Sequence, residues 1–268
     1  MKKMIAPSMT LFAVFCATSA FATGQTLGTQ TGQELGVSLS SYKYEEPDFE
    51  PGLDVKSDGI KLGADYTSTM AGSTGWFFKF NGRFAYGKVD YTGSGTSSNN
   101  PDYYYEVRPL FGKDHEVGNS VWAPYTGFGF RYLNNDSRGE TSTGAWGYQR
   151  VSRYYYLPIG VTNRFALENS SVLESMIEFD YLIRGQQTSK LSDVSALYPD
   201  LENRQDSGYG IKFSSMYRVN DFAIGPYIDY WNINKSDAVV YSAGDSTYIG
   251  YEPKNNTVEF GIKASMRF

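Results

Sequence analysis

The sequence is almost without cysteine and histidine. Its one cysteine, Cys16, lies in an apolar stretch near the amino terminus, and its one histidine is His115. The remainder of the chain therefore has no thiol for a disulfide, a thiolate catalyst or a cysteine metal site. A metal would need carboxylate ligands, and no loop has the spaced Asp, Asn and Gly residues of a calcium loop. We expect neither a metal nor a cofactor.

Positive charge and long apolar runs are scarce as well. The apolar run over residues 9–21 is too short for a spanning helix, which needs about 20 residues. It follows Lys2 and Lys3 and ends in Ala20-Phe21-Ala22, the pattern of a secretory signal peptide, so we expect residues 1–22 to be removed on export. Without Lys2 and Lys3 the 24 basic residues fall to 22 against 29 acidic ones, a net charge of −7. A nucleic-acid-binding surface needs the opposite sign.

The chain is instead rich in tyrosine, phenylalanine and glycine, with 23, 17 and 28 residues of each. Its mean hydropathy of −0.42 is usual for a soluble protein. The same value is expected for a transmembrane β-barrel, because lipid-facing and lumen-facing residues alternate along each strand and their contributions cancel. Alternation with a period of two residues is therefore the pattern that separates the two classes of protein.

Ten segments of about ten residues alternate apolar and polar positions from residue 33 onward, as half-buried strands do. The last is the clearest: Val258, Phe260 and Ile262 alternate with Glu259 and Gly261, and the pattern continues to Phe268. The sequence therefore predicts an all-β protein of about ten amphipathic strands.

The fifth and sixth segments, 121–132 and 149–163, carry apolar residues at both parities, so their facing stays open and eight or twelve strands remain alternatives. Proline is the main observation against a barrel, because it cannot donate to a ladder and a closed barrel has no edge strand. We expect four prolines to lie near the inner ends of their strands, where a bulge can absorb the missing donor: Pro109, Pro124, Pro158 and Pro226.

The final strand resembles a known signal. An alternating strand that closes on Phe268 is similar to the recognition signal that Gram-negative outer-membrane β-barrel proteins present to their assembly machinery. The resemblance implies a closed antiparallel transmembrane barrel over residues 33–268, preceded by a short periplasmic segment, 23–32. It also implies an outer-membrane location, with outer-membrane lipid, lipopolysaccharide and the barrel-assembly machinery as partners.

The connections between the segments alternate in length, as they do in such barrels. The expected extracellular loops are 45–57, 88–101, 133–149, 186–205 and 234–254. The expected periplasmic turns are 68–75, 112–119, 164–171 and 220–221. Amphipathic rings should mark the two membrane surfaces. We expect Trp76, Trp122 and Phe222 at the inner surface and Tyr42, Tyr44, Tyr86 and Tyr103 at the outer one.

The polar parity of these strands carries charges of both signs. The set predicted to form a lumen charge network is Lys79, Arg83, Glu106, Arg108, Glu174, Glu178, Asp180, Arg184, Lys212, Arg218, Glu259, Lys263 and Arg267. A barrel of about 8 strands has room only for side chains, and open channels appear at about 16 strands. We therefore interpret most of these charges as a paired network, with a narrow path or a solute site as the alternative.

Three functions stay open. The leading one is a non-enzymatic barrel with a structural role or a narrow pore for small solutes. The second is a surface-binding protein that acts through loops such as 92–100 and 242–251. The third is a rim enzyme resembling the omptin proteases, which place paired acidic residues and an Asp–His couple at the outer rim. His115 falls in a predicted inner turn, on the wrong side for that chemistry, so we expect no enzyme.

Overall fold

The computed structural model describes residues 27–50, 53–167 and 170–268, so the expected signal peptide lies outside the described residues. Every strand pairing is antiparallel. The strand segments of the described chain are β1 (Gly32–Glu50), β2 (Leu53–Ala71), β3 (Trp76–Thr92), β4 (Thr96–Lys113), β5 (His115–Val117), β6 (Ser120–Gly127), β7 (Gly129–Glu140), β8 (Trp146–Ala166), β9 (Ser171–Ser189), β10 (Leu201–Arg204), β11 (Gly208–Val219), β12 (Phe222–Ile233), β13 (Val239–Ala243), β14 (Ser246–Gly250) and β15 (Asn255–Arg267). A short 3-10 helix, Leu191–Asp193, precedes β10.

The strands form a closed ring. β1 pairs with β2 on one side and with β15 on the other, and β15 also pairs with β12. Two positions hold interrupted strands: β6 and β7 lie end to end between β4 and β8, and β10 and β11 lie end to end beside β9. The segments outnumber the ten strands predicted, but those in the ring occupy ten positions. The predicted class, a closed antiparallel barrel, is confirmed.

Period-two alternation sorts the side chains between the two sides of the wall. Val37 and Leu62 are 65% and 67% exposed on the outside, whereas Ser38 and Lys61 are buried on the inside. An apolar exterior around a polar interior suits hydrocarbon, and a closed ring leaves no unpaired strand edge in that hydrocarbon. Among the described residues, no helix is long and apolar enough to cross a membrane.

The two ends of the barrel differ. One end, called the short-turn end, carries residues 27–31, the connections 72–75, 118–119 and 220–221, and the residues Leu167 and Ser170. The other, called the long-loop end, carries the segments 190–200 and 234–254, and the second of these contains the β13–β14 hairpin. In barrels of this kind the longer loops are extracellular, so we assign the long-loop end to the outside.

Several predicted loops were too long. β1 and β2 continue through most of the predicted loop 45–57, and only 93–95 and 141–145 separate the next two hairpins. A membrane strand needs about 9–11 residues, whereas β1 has 19. The apolar alternation ends where lipid contact ends, but the backbone ladder continues into water, and the sequence pattern does not report that part.

The four prolines lie within strands, Pro109 in β4, Pro124 in β6, Pro158 in β8 and Pro226 in β12. The register shifts fall at other positions, so the expectation of a bulge at each proline was wrong. At Pro109 the missing N–H interrupts the ladder opposite Phe128, whose own N–H donates to the Pro109 carbonyl at 3.1 Å. This interruption separates β6 from β7.

The facing of the fifth and sixth positions, which the sequence left open, is regular in the structure. Val121, Ala123 and Arg131 are buried on the inner side of β6 and β7, as are Tyr154 and Tyr156 on β8. Odd-numbered residues of β6 and β7 and even-numbered residues of β8 therefore face the lumen. Several of these inward side chains are aromatic, which is why the pattern appeared apolar at both parities.

Candidate functional site

The lumen contains two cavities that have no lining residue in common. A cavity of about 730 Å³ opens at the short-turn end, where Gly28, Asn220 and Asp221 lie on its wall, and is called the inner vestibule. A smaller one of about 110 Å³, called the outer pocket, reaches the turn residues Ser94 and Thr141 at the long-loop end. The side chains between the two cavities close the lumen.

Among the buried side chains that lie between the cavities and line neither of them, four come from four different strands: Lys61, Tyr104, Tyr156 and Glu259. Each is at most 1% exposed. We call them, with the charged residues that bond to them, the central plug. They come from β2, β4, β8 and β15, so the layer is assembled from several sides of the ring.

One half of the central plug is built around the Glu259 carboxylate. Arg83 donates to it at 2.7 Å, Tyr104 at 2.8 Å and Tyr227 at 2.7 Å. Arg83 also donates to Asp229 at 3.0 Å. One guanidinium thus serves two carboxylates, and two phenol hydroxyls supply further donors, so the buried charge of Glu259 is well compensated.

The other half is built around the Lys212 ammonium. It lies 2.7 Å from a Glu106 oxygen, 3.3 Å from Asp180 and 3.5 Å from Glu178. Arg108 pairs with Glu178 from the opposite wall. Three carboxylates therefore surround two cations where the vestibule ends, and all five groups are largely buried, so each charge depends on its partners.

Arg131 and Lys61 connect these halves to the outer pocket. The Arg131 guanidinium lies over the Tyr104 ring at 4.1 Å and reaches Glu106 at 3.4 Å. The Lys61 ammonium bonds to Asp102 and lies 3.4 Å from the centre of the Tyr42 ring. Cation–π contacts in a desolvated site add to the ion pairs.

The inner vestibule has a polar lining that includes charges of both signs. Arg218 pairs with Glu34 at 2.9 Å, and Arg164 pairs with Glu174 at 3.0 Å. Lys79 has no carboxylate within 4 Å in the described part of the chain, and its ammonium lies 5.0 Å from the ring centre of its neighbour Phe77. The cavity is therefore a hydrated space that ends at the central plug.

Twelve of the thirteen predicted lumen charges lie on the inner face. The structure places Lys79, Glu174, Arg218, Lys263 and Arg267 around the vestibule and Arg83, Glu106, Arg108, Glu178, Asp180, Lys212 and Glu259 in the plug. Lys263 pairs with Asp65 at 3.2 Å, and Arg267 lies 3.5 Å from Glu34.

Arg184 was wrongly predicted to face the lumen, because it is exposed on the outer side. Tyr156 pairs with Leu182 and Tyr155 pairs with Arg184, so β9 has one more residue than β8 at this point. Ile183 and Arg184 consequently both face outward, and the parity of β9 changes beyond them. A bulge of this kind is not visible in an alternation pattern.

Tyr42 and Tyr44 were also misplaced, since both line the outer pocket rather than the membrane surface. The parity set by Val37 and Leu39 on β1 would have placed both tyrosines inward. Sequence reasoning missed other inner residues as well. Asp102, Tyr104, Arg131 and Arg164 were not recognised as inner residues.

His115 lies in β5 at the short-turn end and is exposed. Its backbone partner there is Trp122 of β6. Within the described residues, no group of three or more His, Cys, Asp or Glu side chains has the arrangement to hold a metal ion.

Comparison with solved structures identifies the type of fold. The outer membrane protease OmpT from Escherichia coli aligns over 92% of this chain and 100% of its own, with a TM-score of 0.59 and 11% identity. The fold is that of an outer-membrane β-barrel. At this identity the likeness concerns the fold alone. The apolar exterior and polar interior described above agree with that fold.

Other barrels align less well. The translocator domain of the autotransporter NalP from Neisseria meningitidis matches with a TM-score of 0.38 and 12% identity over 90% of each chain. The Pseudomonas putida toluene transporter TodX matches with a TM-score of 0.33 and 8% identity, over 89% of this chain and 90% of its own. No protein-family model matches the sequence, and no curated protein matches it.

Proposed function

We propose that this chain is a non-enzymatic outer-membrane barrel with a structural role, whose lumen is closed by the central plug. The observation that carries the proposal is the separation of the two cavities by Lys61, Tyr104, Tyr156 and Glu259, which are fully buried. A solute crossing the lumen would have to displace this layer and separate its ion pairs.

The ion pairs also connect distant strands across the lumen. Arg108 of β4 pairs with Glu178 of β9, and Lys212 of β11 pairs with Glu106 of β4. These strands are not neighbours in the ring, so each pair holds two walls together. Separating them would leave charges in a site that excludes water, which opposes any widening of the barrel.

A gated path for small solutes is the second candidate. The inner vestibule favours it, because a cavity of about 730 Å³ leads from the short-turn end to the plug and has a polar lining. In this alternative the plug rearranges, and the vestibule is the inner half of the route.

The proposal leaves no role for a histidine-dependent hydrolase at the outer rim, because of where the histidine lies. His115, the one histidine of the sequence, is exposed in β5 at the short-turn end, far along the barrel from the outer pocket. A general base must lie within hydrogen-bond reach of the proton it removes, so His115 cannot serve a substrate at the outer rim.

Two partners follow from the same proposal. Lipopolysaccharide surrounds the outer leaflet end of the apolar belt, and the assembly machinery recognises β15 with Phe268. The Phe268 side chain is 63% exposed, while its backbone N–H donates to Gln33 at 2.9 Å. The strand is thus anchored through its backbone and keeps the aromatic ring on its surface.

Conductance across a planar lipid bilayer tests the proposal. We expect the purified barrel to give no resolvable current steps, and the double variant Tyr104→Ala with Tyr156→Ala to give them, because two fully buried rings are removed from the plug. The control is Tyr105→Ala with Tyr155→Ala, the adjacent residues on the outer face, where Tyr105 is 38% exposed.

Stable steps from the unmodified protein at low voltage would overturn the closed-barrel proposal and favour the gated path. The plug variant could also give no current steps although its unboiled sample shows the gel mobility of a folded barrel. That result would mean that the central plug does not determine the permeability. The control variant should behave as the unmodified protein in both measurements.

A further inference from the structure

The outer pocket has the composition of a binding site rather than of a packing defect. Its floor is formed by Trp231 and Arg131, and its upper wall includes Trp146, which is 56% exposed near the turn 141–145. Tyr42 and Tyr154 form further aromatic walls. A cavity with aromatic faces and a few converging polar groups is the usual form of a small-molecule site.

One buried donor in this pocket has no partner. The Trp231 indole is 2% exposed, and its Nε1–H has no acceptor among the described residues. The ring is held by Tyr154 at 6.2 Å and Tyr156 at 5.1 Å between ring centres. A buried indole N–H normally finds an acceptor. This one is closed off from the open space of the pocket, so a ligand oxygen would reach it after a small shift of the Trp231 ring.

The charges on the lining decide which ligand fits. Asp102 contributes a carboxylate, and Arg131 and Arg150 contribute guanidinium groups. Asp102 is held by Lys61 and by the Asn135 amide at 2.9 Å, so the polar groups are fixed in place. An anion would meet Asp102 and a cation would meet the two arginines. A neutral ligand with hydroxyl groups, which both donate and accept, suits donors and acceptors that lie side by side.

The size agrees with one sugar ring. A volume of 110 Å³ holds several water molecules, which is the order of size of one small ring rather than of an oligosaccharide. The C–H faces of a pyranose ring are apolar and match the tyrosine and tryptophan rings, while its hydroxyls match the polar groups.

We propose that the outer pocket binds one neutral pyranose sugar, either free or as the terminal ring of a glycan, with Trp231 as the donor at its floor. The ligand enters from the long-loop end, between the turns at Ser94 and Thr141. The proposal does not depend on whether the barrel conducts, because the ligand stays on the outer side of the central plug. Two plug residues, Lys61 and Tyr156, position Asp102 and Trp231.

Tryptophan fluorescence gives a direct test. The sequence has four tryptophans, of which Trp146 and Trp231 line the pocket and Trp76 and Trp122 do not. In the variant Trp76→Phe with Trp122→Phe, the whole tryptophan signal comes from the pocket. The barrel is refolded in dodecyldimethylamine oxide, which has no sugar headgroup, and titrated with glucose, galactose and mannose, with their methyl glycosides and with maltotriose.

We expect a saturable change with at least one neutral sugar and weaker binding of glucuronate and glucosamine. Tighter binding of the methyl glycosides or maltotriose than of the free sugars would identify a glycan end as the ligand, and the reverse would identify the free sugar. Calorimetry on Trp231→Phe, which keeps a ring but loses the N–H, should show about tenfold weaker binding. The matched control Trp122→Phe should bind as the unmodified protein does.

No saturable signal from any neutral sugar, in a sample whose gel mobility shows a folded barrel, would overturn the proposal. Stronger binding of either charged probe than of the neutral sugars would overturn the assigned ligand class. Unchanged affinity in Trp231→Phe would show that the indole N–H does not bond to the sugar.

Discussion

Four donors converge on the Glu259 carboxylate, the Ser40 hydroxyl among them, and the Arg83 guanidinium also holds Asp229. Buried charges of this kind contribute little net stability as complete pairs, because removing them from water costs about as much as pairing returns. Their importance is that no member can be removed alone. Individual lumen residues are therefore sensitive to mutation even where they carry no chemistry.

Arg83→Ala should destabilise the barrel by about 3–5 kcal/mol, since it leaves Glu259 and Asp229 without their shared cation in a site closed to water. Denaturant unfolding of the barrel refolded in micelles measures the change. Arg138→Ala is the control, because Arg138 pairs with Asp136 on the exposed surface and its loss should be barely measurable. Equal unfolding midpoints for the two variants would contradict a cooperative plug.

Most inner-face residues could be predicted by counting parity from a clearly apolar neighbour. That rule places Lys212 and Glu259 correctly and would have placed Tyr42 correctly, had it been preferred to the tendency of tyrosine to lie at membrane surfaces. It fails at Arg184, because the extra residue in β9 shifts the parity. Which charges pair across the lumen is beyond sequence reasoning, since partners such as Arg83 and Asp229 are 146 positions apart.

At the scale of elements, the segment 234–254 is attached to the barrel by several hydrogen bonds, and one buried carboxylate accepts two of them. The Glu252 carboxylate accepts from Gln187 at 2.5 Å and from Ser189, both on β9, and its backbone N–H donates to Ser236 at 2.8 Å. Glu252 is 5% exposed. Burial raises the pKa of this carboxyl group, and Glu46 raises it too, while Arg150 and the two side-chain hydrogen bonds act in the opposite direction.

The attachment of this loop should therefore depend on pH. Because the pKa of Glu252 is higher in the closed loop than in an open one, the closed form binds the proton more tightly, and its stability falls as pH rises from the ordinary range near 4.5 through the raised pKa. Limited proteolysis of 234–254 should be slower at about pH 5 than at about pH 8.

Glu252→Gln, which imitates the protonated group, should abolish most of that difference. Asp245→Asn, at the exposed tip of the β13–β14 hairpin, should leave it unchanged and serves as the control. If cleavage became faster on acidification, the pH dependence would have the opposite sign, and the proposed attachment through a protonated Glu252 would be contradicted. The sequence offered no sign of this contact, since Glu252 appeared as one more residue of a polar loop.

For the whole molecule, the polar lumen and the apolar exterior exist only while the ring is closed. The backbone bonds between β1 and β15 complete it, and without them both strands would present open edges to lipid. The class of fold was predictable because alternation and connection lengths repeat along the entire chain. The closure of the lumen was not, because it depends on side chains from many strands meeting at one level.

A folded sample should show heat-modifiable mobility in a detergent gel, the unboiled protein migrating differently from the boiled one because the closed ladder resists the detergent. A chain lacking residues 255–268 should lose this behaviour, since β1 and β12 then have no partner in the seam. Identical migration of boiled and unboiled full-length protein would contradict a closed barrel, and heat-modifiable mobility of the shortened chain would contradict its closure through β15.

The pairing of β1 with β15 also determines how the protein reaches its structure. Ser265 donates to Glu34 across 231 positions of sequence, so the seam is among the most remote contacts in the chain. Contacts of such separation are formed slowly, because the entropy of a long loop is lost before the contact returns any energy. Until the seam forms, one edge of β1 is unpaired and can form backbone hydrogen bonds with another chain. The fraction of protein that aggregates during assembly therefore depends on how long the seam stays open, and not on the stability of the closed barrel.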